Sequence, residues 1–295
     1  VIFTEYARQF TRPLNELSNQ FNILLSAIAG AERVFDVLDT PKETQDEQNS
    51  KQLPEIKGHF KFENVTFSYE DTETLKNLNF SVSPGETIAF VGHTGAGKST
   101  IFNLILRFYN YQSGSITLDG NELKSIQRAN LRSHMAFVLQ DSFLFRGTIK
   151  DNIRYGRLNA TDDEVIKAAK QANAHEFIIH LEQGYNTVLD DSGSGISQGQ
   201  KQLLTITRAF IAEPTILLLD EATSNIDTIT EIKISEALHT LMKNSTSFVI
   251  AHRLNTIKNA DKIIYLSHGE IIEIGSHDEL MSLQGEYYRL YANPS

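Results

Sequence analysis

The chain of 295 residues contains no cysteine. This absence excludes disulfide bonds, thiolate metal sites and cysteine nucleophiles together. The sequence also lacks an apolar run close to the roughly 18 residues that a membrane-spanning helix needs. The chain as given is therefore expected to be soluble. Its 40% of hydrophobic residues are enough for a real core, and its length fits one large domain or two small ones.

Positive charge is also scarce. The sequence has 27 lysines and arginines against 37 acidic residues, a formal net charge of −10. With this excess of acidic residues, a large basic surface is not expected, and neither is a nucleic-acid partner. A local basic cluster occurs at Arg146, Lys150, Arg154 and Arg157, but Asp151 interrupts it. A solvated helix face explains this cluster better than a binding patch does.

The most specific pattern in the sequence is a glycine-rich stretch that follows a short apolar run. It reads Gly92-His93-Thr94-Gly95-Ala96-Gly97-Lys98-Ser99-Thr100 and fits G-x-x-x-x-G-K-[ST]. Residues 87–91 before it are typical of a buried strand, and apolar residues follow it at helical spacing. The glycines let backbone N–H groups converge on an anion, Lys98 adds positive charge, and Ser99 offers Mg²⁺ a hydroxyl. We therefore predict a phosphate-binding loop rather than an ordinary turn.

The N-terminal segment predicts an amphipathic helix followed by a linker. Apolar residues recur at helical intervals from Leu14 to Ile28, and the pattern continues to Leu38 despite Gly30. The apolar stripe needs a partner, and the chain begins within the pattern, so we expect the tail end of something longer. A helix that packs on the domain behind it is the alternative. Residues 41–52 are polar and acidic, which is typical of a linker.

The remaining sequence predicts an α/β domain. Residues 60–69 and 75–82 alternate between apolar and polar side chains, as antiparallel strands do, and residues 115–120 predict another strand and turn. Continuous apolar runs, typical of buried parallel strands, occur at residues 215–219, 247–251 and 262–266. Helical patterns dominate residues 141–210. The prediction is a mainly parallel sheet with its ligand at the strands' C-terminal ends, an antiparallel subdomain and a helical subdomain.

Polar residues follow three short apolar runs of the sequence. Asp220 and Glu221 close the run at residues 215–219, Gln140 follows a run at residues 136–139, and His252 follows the run at residues 247–251. Phosphoryl transfer to water needs a metal ion, positive potential and a group that activates the water. Asp220 is the natural partner of Mg²⁺ and Glu221 the candidate base. Gln140 is a candidate for contact with Mg²⁺ or the attacking water, and His252 for contact with the γ-phosphate. Taken singly, each residue also has a structural explanation, such as a surface turn.

A second helix start is a further candidate site. Ser197-Gln198-Gly199-Gln200 opens a predicted helix, with Ser197 at its N-cap. The simple interpretation is a good cap, and the functional one is a second anion site. One nucleotide pocket does not need two such helix ends. We therefore expect a site shared between two molecules.

Together these motifs resemble an ATP-binding cassette. In chain order they are Gly92 to Thr100, Gln140, Ile196-Ser197-Gln198-Gly199-Gln200, Ile216 to Glu221, Ser224-Asn225-Ile226-Asp227 and Ala251-His252-Arg253. They look like Walker A, Q-loop, signature, Walker B, D-loop and switch histidine. Residues 53–295 resemble the nucleotide-binding domain of an ABC exporter half-transporter, with a RecA-like P-loop core. Residues 1–40 resemble the cytoplasmic end of that family's last transmembrane helix.

The resemblance implies an Mg²⁺-dependent ATPase that powers export from the cytoplasmic face of a membrane, attached to a transmembrane domain. Two such domains would pair head to tail, with each ATP between one Walker A and the partner's signature. Tyr69 matches the aromatic residue that stacks on adenine, Glu221 the catalytic base and His252 the switch. Ser224 and Asp227 match the D-loop. Ser99, Gln140 and Asp220 match the groups that face Mg²⁺.

The sequence departs from the family pattern near the signature and the D-loop. Gln198 replaces the commoner glycine and Ile196 the leucine of the signature, and Asn225 replaces the usual alanine of the D-loop. Ser194 stands near the place of a glutamate that exporters often carry, so the resemblance does not extend to the coupling contacts of that glutamate. A homodimer and a heterodimer with a degenerate partner both fit. The variants at Gln198 and Asn225 favour the heterodimer slightly.

Two other functions share the cassette. Its relatives in DNA repair or chromosome organisation place a long coiled coil between Walker A and signature, but no heptads occur between Lys98 and Ser197, and the acidic charge also disfavours them. A nucleotide-dependent binding module that scarcely hydrolyses is the other alternative. An intact Glu221 argues against it.

Overall fold

The computed structural model describes residues 2–40, 46, 49–70, 72–140, 142–190, 193, 195–221, 226–251 and 254–292. The chain divides into two compact units, Val1–Gln45 and Asp46–Ser295.

The first unit contains one long helix, α1 (Ile2–Leu38). It is continuous through Gly30, as predicted, and also includes Pro13. Its large apolar side chains are exposed, among them Phe10, Leu17 and Phe21. No helix in the described part of the chain is both long enough and apolar enough to cross a membrane.

The second unit alternates strands with helices. Its strands are β1 (Phe60–Tyr69), β2 (Thr72–Val82), β3 (Thr87–Val91), β4 (Ser113–Leu118), β5 (Asn121–Glu122), β6 (Met135–Val138), β7 (Gly147–Thr148), β8 (Val188–Leu189), β9 (Ile216–Glu221), β10 (Thr246–Ala251), β11 (Lys262–Ser267) and β12 (Glu270–Gly275). Its helices are α2 (Lys98–Ile105), α3 (Arg128–Ser133), α4 (Ile149–Arg154), α5 (Asp162–Gln171), α6 (His175–Ile179), α7 (Gln198–Ala212), α8 (Thr228–Met242), α9 (Leu254–Lys258), α10 (His277–Leu283) and α11 (Glu286–Ala292).

The central sheet confirms the predicted α/β fold. Its six strands run in the order β12-β11-β3-β10-β9-β6. The pairs β11·β3, β3·β10, β10·β9 and β9·β6 are parallel, and only β12 at the edge is antiparallel to its neighbour. Parallel strands are buried on both faces, which is why the sequence showed them as continuous apolar runs.

Alternate residues of the central strands enter two different cores. Ile88 and Phe90 of β3 pack into a cluster shared with the antiparallel sheet and α2. Ala89 and Val91 of the same strand pack on the opposite side, into a cluster with the helices α4 to α8. The glycine-rich loop therefore leaves a strand that is fixed from both faces.

The antiparallel subdomain is a four-stranded sheet in the order β2-β1-β4-β5. Phe62 of β1 lies opposite Phe80 of β2, and their rings stack with centroids 4.2 Å apart. The predicted alternation of β1 and β2 is confirmed. Their inward residues are buried, while polar residues such as Lys61 and Glu63 face outward.

The predicted helical subdomain contains α4, α5, α6 and most of α7. Capping boxes start three of these helices, with Thr148 and Asp151 at α4, Thr161 and Glu164 at α5, and Ser197 and Gln200 at α7. The same region also contains the short antiparallel pair β7·β8, which the sequence pattern did not indicate.

The described part of the predicted linker, residues 46 and 49–52, belongs to the second unit. Asp46 accepts a hydrogen bond from the Arg128 backbone N–H at 2.8 Å, and its carboxylate lies 3.4 Å from Arg107 and 3.7 Å from the Arg128 guanidinium. Lys51 donates its backbone N–H to Ser125 O at 2.7 Å. Part of the segment is therefore held by ion pairs and backbone hydrogen bonds. Residues 41–45, 47 and 48 lie outside the described residues.

We expect Asp46→Asn to destabilise the second unit by about 1–3 kcal/mol. The reason is that Arg107 is only 5% exposed, and the Asp46 carboxylate 3.4 Å away compensates part of its buried charge. Glu213→Gln is the matched control, because that carboxylate also faces an arginine, Arg157, but is 73% exposed. It should change the unfolding free energy by less than about 0.5 kcal/mol. Urea unfolding measures both variants, and equal effects would contradict the prediction.

Candidate functional site

The glycine-rich loop lies between the end of β3 and the start of α2. Gly97 has φ +104°, and a Cβ at this position would lie 2.6 Å from Leu75 Cδ2. A larger residue would therefore be strained and would collide with the core. His93, Thr94 and Gly95 are exposed, whereas Ala96 is buried and donates its N–H to His93 O at 3.1 Å. The loop is a hydrogen-bonded turn with an accessible rim.

Lys98 is the charged centre of this loop. Its side chain is 8% exposed and donates hydrogen bonds to Gly92 O at 2.7 Å and His93 O at 3.0 Å. Burial lowers the pKa of Lys98, and the nearby Asp220 carboxylate partly opposes that shift. The first N–H groups of α2 have no helical carbonyl before them. A partly desolvated cation beside a helix N-terminus is suited to binding phosphate.

The polar residues after the parallel strands meet at one edge of the central sheet. Ile250 of β10 pairs with Phe90 on one side and Asp220 on the other, and Ala251 pairs with Glu221. Val138 of β6 pairs with Leu219 of β9. Gln140 lies two residues after Val138 and Glu221 two residues after Leu219, so both reach the same level of the sheet. Gln140 is exposed. The structure therefore brings Asp220, the Glu221 backbone and Gln140 to the edge where the loop begins.

The groups expected to face Mg²⁺ suit that ion by their chemistry. Ser99 is exposed, Asp220 is half-buried and Gln140 is exposed, and each offers oxygen, which Mg²⁺ prefers. The described residues contain no group of three His, Cys, Asp or Glu side chains arranged to hold a metal by themselves. Mg²⁺ commonly binds through one or two carboxylates together with substrate phosphates. The residues present therefore fit Mg²⁺ that arrives with a nucleotide.

The residues that resemble the signature lie at the start of α7. Ser197 is exposed and caps the helix, since its hydroxyl accepts the Gln200 N–H at 3.3 Å and its N–H donates to Gln200 Oε1 at 2.9 Å. A Cβ at Gly199 would lie 2.4 Å from Thr230 Cγ2, so the small residue permits close packing on α8. Gln198 is exposed. The structure thus presents a capped helix N-terminus at the surface.

Asp227 of the predicted D-loop caps α8. Its side chain accepts the Thr230 N–H at 2.9 Å, and this hydrogen bond is the main cause that lowers the pKa of Asp227. Several predicted site residues lie outside the described part of the chain, namely Ser194, Ser224, Asn225, His252 and Arg253. The side chain of Glu221 is also outside it.

An aromatic cluster surrounds Tyr69 at the end of β1. Its ring meets Phe67 at 4.7 Å and Tyr109 at 4.9 Å between centroids, both nearly perpendicular. The Tyr69 hydroxyl accepts a hydrogen bond from Asn103 Nδ2 at 2.8 Å. The sequence pattern did not indicate Asn103 or Tyr109 as part of the site. The available signal was one polar residue, Asn103, inside an apolar helical stretch.

A groove of about 430 Å³ lies between β6, α4 and α7. Phe143 and Tyr155 are exposed along it, and Arg208 lies beneath Phe145 with its guanidinium 5.3 Å from the ring centroid. Arg208 donates hydrogen bonds to Phe143 O and to Asn152 O, and burial lowers its pKa to about 10. The groove is therefore apolar at its rim and stiffened by a hydrogen-bonded arginine.

Comparisons with known proteins agree with this geometry. Residues 75–224 match a family model described as ABC transporter. The chain is 60% identical over 292 residues to the ABC transporter ATP-binding protein YfiC of Bacillus subtilis, covering 99% of the chain and 48% of that protein. It is 47% identical over 289 residues to the "Fatty acid ABC transporter ATP-binding/permease protein" of Mycobacterium bovis, covering 98% of the chain and 46% of that protein.

A solved structure extends the similarity to three dimensions. It is described as the structure of a bacterial Atm1-family ABC exporter with ATP bound. The TM-score is 0.82 at 39% sequence identity, with 96% of this chain and 50% of the other covered. The chain thus spans about half the length of the proteins that it matches. The predicted P-loop NTPase core is confirmed by these similarities.

Proposed function

The chain belongs to the ABC transporter family, and we propose that it hydrolyses ATP to power export of a substrate across a membrane. The observation that carries this proposal is Lys98, held at the start of α2 with a lowered pKa beside Asp220. Nucleotide binding follows from the family. Hydrolysis and transport are the proposed steps, and the whole molecule would act at the cytoplasmic face of the membrane.

In the proposed reaction, the phosphates lie in the loop from Gly92 to Thr100. Lys98 would exchange its carbonyl partners for phosphate oxygens, which removes the penalty of its desolvated charge. When bound, Mg²⁺ would neutralise charge on the β- and γ-phosphates, and Ser99, Asp220 and Gln140 would hold it. Glu221 would accept the proton of the attacking water, and His252 would contact the γ-phosphate. Gln140 would also orient the water.

We propose further that two chains complete each ATP site. The exposed N-terminus of α7, with Ser197, Gln198, Gly199 and Gln200, would face the γ-phosphate bound by the partner. Asp227 and Ser224 would belong to the same interface. The partner is a second copy of the chain or a related chain with degenerate catalytic residues. The family similarity supports pairing of two such domains.

A permease part would form the other proposed interface. The Mycobacterium bovis relative is named an ATP-binding/permease protein, and this chain matches 46% of it. We propose that the remaining permease half of such a longer protein docks in the groove at Phe143, Phe145 and Tyr155. Residues 1–40 would be the cytoplasmic end of its last membrane helix. The exposed apolar side chains of α1 would then be covered by neighbouring permease helices.

The similarities favour this function over the two alternatives. The relatives named above are transporters, whereas DNA-repair or chromosome-organising ATPases would need a coiled coil that the described residues between α2 and α7 do not form. A binding module that scarcely hydrolyses ATP would differ from an ATPase only in its rate of ATP hydrolysis. Direct measurement of phosphate release therefore decides between them.

We expect the 295-residue chain to bind ATP and to release phosphate in the presence of Mg²⁺. Removal of the metal with EDTA should abolish phosphate release, because charge on the transferred phosphoryl group would lose its main compensation. AMP is the matched ligand control, since it keeps the adenine but lacks the β- and γ-phosphates that Lys98 would hold. AMP bound as tightly as ATP, or turnover independent of Mg²⁺, would contradict the proposal.

A further inference from the structure

One helix joins the two ends of the candidate nucleotide site. α2 starts at Lys98 in the phosphate loop, and Asn103 lies further along the same helix. A helix rises about 1.5 Å per residue, so these residues are separated by roughly 7.5 Å along its axis. The helix is fixed in position because Ile101, Phe102, Leu104 and Ile105 are buried. Asn103 therefore has a defined position relative to the phosphate loop.

Asn103 contacts Tyr69 directly and also bonds the backbone of Phe108, the residue before Tyr109. Its side-chain Nδ2 donates to the Tyr69 hydroxyl at 2.8 Å. Its backbone carbonyl accepts the N–H of Phe108 at 2.9 Å, which fixes the turn that carries Tyr109. Tyr109 in turn packs perpendicular to the Tyr69 ring. Asn103 is thus the residue that organises the cluster.

Tyr69 needs such support because of its place in the sheet. It is the last residue of β1, and it pairs with Thr72 at the beginning of β2. The pairing of these strands shifts register between Phe67 and Ser68, and Glu70 after the strand has φ +51°. Strand pairing therefore constrains the ring weakly at this point. The Asn103 hydrogen bond and the contacts with Phe67 and Tyr109 set its orientation.

We infer that Asn103 is a positioning residue for nucleotide binding, which holds the Tyr69 ring in the orientation that stacks on the adenine base. This inference rests on the proposed function, since it takes ATP as the ligand and Tyr69 as the stacking side chain. Asn103 does not contact the nucleotide. It acts through the Tyr69 hydroxyl, and α2 fixes the distance between the phosphate loop and the ring.

Base stacking and phosphate binding contribute separately to the affinity for ATP. Stacking requires an aromatic face at a set angle, so an unrestrained ring would have to be ordered when the base binds. Phosphate binding depends on Lys98 and on the N-terminus of α2. The Asn103 side chain donates its hydrogen bond to Tyr69 rather than to either of these groups. Loss of the Asn103 amide should therefore weaken ligands that contain adenine and leave adenine-free polyphosphate unaffected.

The test is a double-mutant cycle read by calorimetry on the 295-residue chain. Asn103→Leu keeps a similar volume without the amide, and Tyr69→Phe keeps the ring without the hydroxyl. Each variant should raise the Kd for ATP by about threefold to tenfold, the usual size of one hydrogen bond. The double variant should bind ATP no more weakly than either single one, because both remove the same interaction. Inorganic tripolyphosphate should bind all four proteins equally.

Three results would overturn the inference. ATP affinity of Asn103→Leu equal to that of the parent would show that the hydrogen bond does not position the ring. Additive losses in the double variant would show that Asn103 acts by another route. Equal weakening of ATP and tripolyphosphate would indicate a general structural role.

Folding and the proposed function are controlled separately. The thermal unfolding midpoint of each variant shows whether it is folded, and Asn103→Ala replaces Asn103→Leu if leucine does not fit. The same ATP and tripolyphosphate pattern is expected of Asn103→Ala. A parent chain that binds no ATP would overturn the proposed function itself. A parent that binds ATP while the variants bind it equally well would overturn only the role of Asn103.

Discussion

The Glu221→Gln variant is expected to bind ATP as the parent chain does and to hydrolyse it roughly 100- to 10,000-fold more slowly. The amide has nearly the shape of the carboxylate but cannot accept a proton from the attacking water. The Glu221 backbone lies at the end of β9, paired with Ala251 at the edge of the sheet where the phosphate loop begins. Phosphate release at saturating Mg·ATP measures the effect. Glu182→Gln, an exposed acidic residue on the helical side, is the control that should keep full activity.

The same variant tests whether the chain pairs with itself. Slow hydrolysis should trap any pair of chains that ATP holds together, so light scattering should report a shift from monomer to dimer when Mg·ATP is added. That shift would establish a homodimer with shared sites. A chain that binds ATP and remains monomeric would instead indicate a different partner chain or a requirement for the permease part. Parent-like turnover of Glu221→Gln would remove Glu221 as the base.

The sequence predicts well which edge of the sheet carries the candidate site, because local patterns specify that edge. β3, the glycine-rich loop and α2 each carry their own signal, and the apolar run of β9 ends in two acidic residues. Buried parallel strands show as continuous apolar runs, and their C-terminal ends must share one edge. The alignment of Asp220 with Phe90 across β10 follows from that rule. The capped start of α7 at Ser197 was predicted for the same local reason.

Contacts between distant parts of the chain could not be predicted in this way. The hydrogen bond from Asn103 to Tyr69 joins residues on a helix and a strand of different layers. The ion pairs of Asp46 with Arg107 and Arg128 likewise depend on where the segment meets α3. Side-chain pairs of this kind leave no periodic signal. The strands β7 and β8 are two residues each, which is too short for any alternation to be read.

Lys98→Met is expected to lose ATP binding at least about 100-fold, because it removes the charge-assisted contacts to the phosphates. Methionine fills a similar volume, so the packing of α2 should be kept. The control is Lys76→Met, which removes a surface lysine that lies 3.8 Å from the Glu270 carboxylate. Calorimetric titration with ATP measures both variants. ATP affinity of Lys98→Met within a few-fold of the parent would contradict the assignment of the loop.

Mixing two inactive variants tests whether each site is built from two chains, provided that Glu221→Gln has shown self-pairing. Lys98→Met lacks the phosphate contact, and Ser197→Arg places a bulky cation at the exposed start of α7. A mixed pair of these chains has one site with both defects and one site with neither. An equal mixture should therefore recover about a quarter of the parent's phosphate release, since half of the pairs are mixed and each has one intact site. If each chain instead formed a complete site by itself, mixing the two variants would restore no phosphate release.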